Sequence, residues 1–299
     1  MRHDRPKDEE RGGWAFMRFL PPHGRLALGV ILLVVMAACL APVLSPWDPG
    51  FQDRSSVLEL PGPRHPFGTD HLGRDTLSRL LWGSRISLTV GVFVSLFSSL
   101  VGAAVGLPSG YYGGAIDGVA MRVMEVFAAF PNLLLAIALM SAFGPGLAKV
   151  VLALTLAGFA GASRLARSEA LRLSCQEFVM AARVSGTSDA RIILIHILPN
   201  SLGPLLVYAT SSLGWWVAAE AGLSFLGLAA HPSYPSWGTM IAEAVPFMRT
   251  RPLLLWAPCL LLSTVVLGLA FLGDVLESNL SPKSLARPAR RGVPRKASP

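Results

Sequence analysis

The stretch ISLTVGVFVSLFSSLVGAAVGLP, residues 86–108, carries no charged side chain. It exceeds the roughly 20 residues a helix needs to cross a hydrocarbon core about 30 Å thick. Working outward, residues 26–44, 202–219 and 252–273 are similarly uncharged. Residues 146–163 hold only Lys149, close enough to one end to snorkel, and 119–143 hold Arg122 and Glu125 near their start. Six spans are therefore expected, giving an all-α, polytopic membrane protein. With 52% hydrophobic and only 15% charged residues among 299, the chain is too apolar for an ordinary soluble domain and too hydrophobic for a disordered one. Three cysteines, two of them inside apolar runs (Cys39, Cys259), read as thiols without a redox role.

The net charge of +8 is distributed between the apolar runs and at the chain ends, which fits membrane topology and not a nucleic-acid face. Residues 1–25, 164–200 and 281–299 together hold about twice as many Lys and Arg as the loops on the other side, so both termini are placed in the cytoplasm. The expected organisation is a cytoplasmic segment 1–25, a first span 26–44, an extracytoplasmic segment 45–85, a transmembrane core 86–280 that includes the cytoplasmic loop 164–200, and a basic tail 281–299 drawn to anionic lipid. No small-residue cleavage site follows the first apolar run, which argues for a span over a signal peptide.

Charges inside a span are expensive, so Asp117, Arg122 and Glu125 are expected to crowd together near an interface, with Arg122 and Glu125 paired three residues apart. A part in lining a solute path is the functional alternative for that pair. Pro131, Gly144-Pro145, Pro204 and Pro258 are expected to kink or end helices. The six histidines are scattered with no metal-binding spacing. Residues 68–75, GTDHLGRD, imitate the start of a phosphate loop, but Arg74-Asp75 stands where Lys and a hydroxyl are required, and a carboxylate there repels triphosphate. No nucleophile elbow or dinucleotide fingerprint occurs. No metal, cofactor or catalytic residue is expected in this chain.

About forty residues, 164–200, separate two spans, far more than a connection needs. Leu171, Cys175, Phe178, Val179 and Ala182 recur at helical spacing as one apolar stripe, Gly186 is suited to a left-handed helix end, and Ser188 to capping a second helix through Ile192–Ile195 to Pro199. With Ala181 and Ala182 making a small-residue corner beside Gly186, this helix–glycine–helix unit suits docking into a partner's groove, Ala182 lying on the docking face. An interfacial helix on lipid is the alternative.

Residues 178–186, FVMAARVSG, continuing to His196-Ile197-Leu198-Pro199-Asn200, resemble the cytoplasmic coupling loop of ATP-binding cassette (ABC) importer permeases. Residues 65–75, HPFGTDHLGRD, with Ser78-Arg79 and Gly83-Ser84-Arg85-Ile86-Ser87, are similar to the hallmark of the dipeptide/oligopeptide/nickel permease family, as are 220–228, EAGLSFLGL, and Pro235-Ser236-Trp237-Gly238. The likeness spans about 26–280. Met180 stands in place of the usual Glu, His196 in place of the Ile of the general pattern, and 277–283 are looser than the usual ending.

The resemblance implies a bacterial inner-membrane permease for peptides, nickel chelates or a related small solute. It implies two ATP-binding subunits that hydrolyse ATP, a second homologous permease and an extracytoplasmic solute-binding protein, with no nucleic acid. Phe178, Ala181, Ala182, Gly186, Leu198 and Pro199 would couple to the ATPase, and Arg122, Glu125, Glu220, Ser224, Phe225 and Trp237 would line the path or gate. Phe225 and Trp237 have packing as a competing role. Two rival readings stand beside it: a secondary transporter, which would bury ionisable groups at mid-membrane, and a polytopic membrane enzyme, which would need a catalytic constellation.

Overall fold

The structure is a computed structural model and describes residues 22–229 and 235–280. The N-terminal segment 1–21 and the basic tail 281–299 lie outside the described residues, as do 230–234. Among the described residues there are helices and no strands, so the all-α expectation holds. Nine helices carry the fold: α1 (Pro22–Cys39), α2 (Thr76–Tyr112), α3 (Gly114–Ala128), α4 (Asn132–Phe143), α5 (Leu147–Ser174), α6 (Glu177–Val184), α7 (Asp189–Phe225), α8 (Trp237–Ala244) and α9 (Pro252–Leu280).

Four of these, α2, α5, α7 and α9, are long and apolar enough to cross a membrane. The expected third span is not one helix: α3 and α4 meet at 86°. Pro131 causes the break. It supplies no amide to the helix that precedes it and sits at the N-cap of α4 in a non-helical conformation. Gly144, at φ +75°, then ends α4. Pro204 and Pro258, in contrast, lie inside continuous helices. The first apolar run forms α1 and a separate turn, Ala41–Leu44, interrupted at Leu40 where Pro42 withdraws its amide.

The segment assigned above to an extracytoplasmic loop, 45–85, is loop only to Asp75. There the carboxylate caps α2 by accepting the Ser78 amide and hydroxyl at 2.7 Å each. Likewise α5 continues through Ser174 beyond the expected boundary at 163.

The most extensive helix contact joins α2 and α5. Gly102, Gly106 and Gly110 recur every four residues on α2 and lie directly against Ala162, Ser163, Ala166 and Arg167 of α5. A Cβ on Gly106 would strike the Ser163 carbonyl oxygen and come within 2.7 Å of the Ala166 Cβ. Small residues that let backbones touch are the usual means of holding helices where lipid removes the hydrophobic drive. Three apolar clusters follow: one centred on Val94, Leu154 and Trp216, one at the α6 end around Ile192 and Ile197, and one around Val217, Trp237 and Val265.

Candidate functional site

Two polar assemblies sit at opposite ends of the bundle. At the first, residues 45–75 fold into a cap. Gly68 and Gly73 take φ +71° and +76°, and the loop closes on itself through the Thr69–Asp75 bridge. Its amides are turned inward: Leu72 and Arg74 N–H donate to the Asp70 carboxylate at 2.8 and 2.9 Å. The arrangement that imitates a phosphate loop thus presents its donors to its own aspartate.

Asp70 also binds Arg74 Nε at 2.6 Å, and Glu243 Oε2 of α8 receives Arg74 Nη2 and Arg79 Nη2 at 2.7 Å each. Arg79 Nε lies 3.5 Å from Asp70, so two carboxylates and two guanidiniums form a quartet in which Asp70 and both arginines are buried and Glu243 is partly exposed. His71 adjoins it, but both carboxylates there are already neutralised by arginine. His65 Nδ1 lies 2.8 Å from Asp75. The quartet ties cap, α2 and α8 together. Sequence reasoning recognised Asp70, Arg74 and Arg79 only as parts of a family motif and missed Glu243, which is 169 positions from Arg74.

Just inside this cap lies Glu220, 1% exposed. It accepts hydroxyl hydrogen bonds from Ser87 of α2 at 2.7 Å and Ser224 of α7 at 2.5 Å. Glu220, Ser224, Ser236 and Thr239 are the polar wall of a cavity of about 180 Å³, closed otherwise by Ile86, Leu147 and Ala229. Two of the expected path residues therefore come together at a real cavity. Trp237 does not join them. It is fully buried against Leu80, Val217 and Met240 as packing, while Phe225 is half exposed. Arg122 and Glu125 pair at 2.9 Å on an exposed face of α3, but Asp117 is not with them: Arg167 of α5 grips it at 2.5 and 2.6 Å, and Ser109 adds a hydrogen bond. The bidentate fork of Arg167 outcompetes a neighbour on the same helix.

At the other end, α6 stands beside the core. The expected stripe from Leu171 to Ala182 is broken, because α5 stops at Ser174 and α6 starts at Glu177 in a new direction. Val179 is fully buried against Leu173, Ile192 and Ile197, and Ala182, three residues on, faces the same way and is half-buried. The outward face is Ala181 and Val184, with Met180 beside it, and Phe178 is half exposed beside the His196 ring. Ala182 thus faces the chain's own core and not outward as the stripe had it, since i and i+3 share one side of a helix.

Gly186, at φ +77°, makes the turn: its amide bonds the Arg183 carbonyl and the Thr187 amide bonds the Ala182 carbonyl, the paired closure of a Schellman motif. Ser188 precedes α7 but its hydroxyl caps nothing. Leu198 and Pro199 lie inside α7, where Ile192–Ile197 widen into a π-helical stretch with the Leu198 amide reaching back to Ile193. The missing amide of Pro199 relaxes the α ladder at that place. Tyr111 of α2 binds Asp189 at 2.7 Å and underlies Arg183 at 5.2 Å, fastening the unit to the bundle.

Among known proteins, residues 80–284 match the family described as the binding-protein-dependent transport system inner membrane component. The chain is similar to the dipeptide transport system permease protein DppC of Alkalihalophilus pseudofirmus, 38% identical over 86% of this chain and 85% of that protein. It is similar also to the glutathione transport system permease protein GsiD of Pectobacterium atrosepticum, 39% identical over 89% of each chain. A solved chain of the MetNI methionine ABC transporter in an inward-facing conformation shares the fold, with a TM-score of 0.52 and 17% identity over 68% of this chain and 96% of that one.

Proposed function

The chain belongs to the family of binding-protein-dependent transport system inner membrane components, and from that premise we infer its role. It is a transmembrane permease subunit of an ABC importer, forming the path for peptides or a related small solute. We propose that it works with two ATP-binding subunits, a second homologous permease and an extracytoplasmic binding protein. In this reading ATP is hydrolysed by the partner subunits, and the chain needs no cofactor of its own. It crosses the bacterial inner membrane six times, α1 and the bent α3–α4 pair completing the count, with both termini in the cytoplasm.

The observation that carries the mechanism is the mounting of α6. One face is anchored on the chain's own core through Val179, while Ala181 and Val184 stand outward, away from that core, and Phe178 is half exposed beside the His196 ring. An apolar helix face held away from the bundle fits a groove in an ATP-binding subunit. Movement received there passes through Gly186 into α7 and biases the bundle between inward and outward openings. The Glu220–Ser224 cavity and the Arg122–Glu125 pair line the solute path in this reading, and the quartet on Asp70, Arg74, Arg79 and Glu243 shapes the surface facing the binding protein.

The test is uptake by the assembled importer when Ala181→Asp is introduced. A carboxylate on a face that becomes desolvated on docking costs several kcal/mol, because an unpaired charge loses its hydration without gaining a partner. The variant should reach the membrane at the normal level yet release the ATP-binding subunit. Uptake that continues after the ATP-binding subunit is deleted would instead favour a secondary transporter.

A further inference from the structure

An apolar groove of about 640 Å³ opens on the outside of the bundle, walled by Val35 and Ala38 of α1, Leu88, Val92 and Phe93 of α2, and Leu213 of α7. One charged residue lines it, Arg85. This arginine is exposed and its guanidinium stacks over the Trp82 ring at 5.6 Å, yet among the described residues no carboxylate pairs with it. The contrast with Arg74, Arg79 and Arg167 is direct, since each of those is satisfied by one or two acids.

Arg85 also marks a level. It is the last charge before the uncharged run that begins at Ile86, and Trp82 beside it is a residue suited to the headgroup layer. Phe93 lies about 12 Å deeper along the helix. The groove therefore begins at a cation placed at headgroup depth and continues as an apolar channel into the hydrocarbon.

We propose that this groove is a binding site for one phospholipid, whose phosphodiester is held by Arg85 and whose acyl chain lies between α1, α2 and α7. A planar guanidinium fixed by an aromatic face is well suited to two phosphate oxygens at once. The wall chemistry also selects lipid over a neighbouring helix. Helix-packing surfaces in membranes are built of small residues, as the Gly102, Gly106 and Gly110 face of the same helix is, whereas this groove is walled mainly by Val, Leu, Ile and Phe, with Ala38, Cys39 and Thr89 between them, and stays an open furrow. A helix filling it would further have to bring a carboxylate to Arg85.

The experiment uses the assembled importer carrying a benzophenone amino acid at Val92, irradiated in bacterial membranes and analysed by mass spectrometry. The expected product is a peptide bearing a phospholipid mass. A cross-link from Val92 to another polypeptide would overturn the proposal and assign the groove to a subunit interface. In parallel, delipidated importer is exchanged against phosphatidylglycerol vesicles and the retained lipid is measured. Arg85→Gln should lower retention by at least about tenfold, the weight of one charge-assisted hydrogen bond. Ala38→Phe, which fills the furrow and leaves Arg85 in place, should lower it as well. Equal retention in either variant and the native protein rejects a built lipid site.

Discussion

Replacing Glu243 by Gln tests whether the cap is held by the charged quartet. In the native protein Glu243 Oε2 takes both arginines at 2.7 Å, and their side chains are only 10% and 4% exposed. After the change Asp70 alone faces two guanidiniums, Arg74 at 2.6 Å and Arg79 at 3.5 Å, so one buried positive charge is left without an acid. Breaking a buried pair costs about 3–5 kcal/mol and an exposed one about 0–1. Because Glu243 is itself 34% exposed, the expected loss lies between them, about 2–3 kcal/mol. That corresponds to a roughly 30- to 150-fold rise in the open population of the cap. Amide hydrogen exchange reads it directly at Thr69 and Asp70, whose N–H groups bond the Glu59 and Arg74 carbonyls. Adding Arg79→Gln removes the orphaned charge, so the double variant should lose less protection than the two single losses combined. Unchanged exchange in Glu243→Gln, or strict additivity in the double variant, refutes the quartet as the clamp.

Gly106→Ala and Gly203→Ala gain the same helix propensity, but only Gly106 abuts another helix while Gly203 has open space. Their thermal stabilities should differ by about 1–3 kcal/mol against Gly106→Ala, and equal shifts would dismiss the α2–α5 contact as a determinant. Gly186→Val forces a β-branched residue to φ +77° at a cost of about 1 kcal/mol or more, with no steric neighbour to blame. Uptake should fall at unchanged membrane level, and normal uptake would make the turn a passive link. With the native cysteines replaced, a thiol at Ser55 should react with an impermeant reagent in intact cells and one at Ser298 should not. The reverse pattern would invert the topology.

The uncharged runs located the long helices because the bilayer demands a minimum apolar length, and Gly186 was readable because few residues tolerate its conformation. The break at Pro131 was visible as a helix breaker, but the 86° turn was not, since the angle is decided by what α3 and α4 pack against. Asp117 was assigned to its sequence neighbours because local spacing is all a sequence displays. Its real partner is 50 residues away on α5. The same limit placed Ala182 outward: a stripe drawn through Leu171 and Ala182 assumes one helix, and the chain makes two. The four-residue glycine repeat on α2 was present in the sequence and is the signal that would have paired α2 with α5 beforehand.

The helix that begins at Asp189 and ends at Phe225 is a continuous run of 37 residues, about 55 Å, with the Gly186 turn at one tip and Glu220 near the other. Its π-helical stretch works as a phase adjuster. One residue more than an α-helix requires is accommodated at Ile192–Ile197, and that sets which compass direction every later side chain faces. Winding the same residues as a plain α ladder, with none removed, would swing the remainder of the rod by about 100°. Glu220 would then point away from Ser87, and the cavity beneath the cap would lose its acid although no residue lining it had been changed.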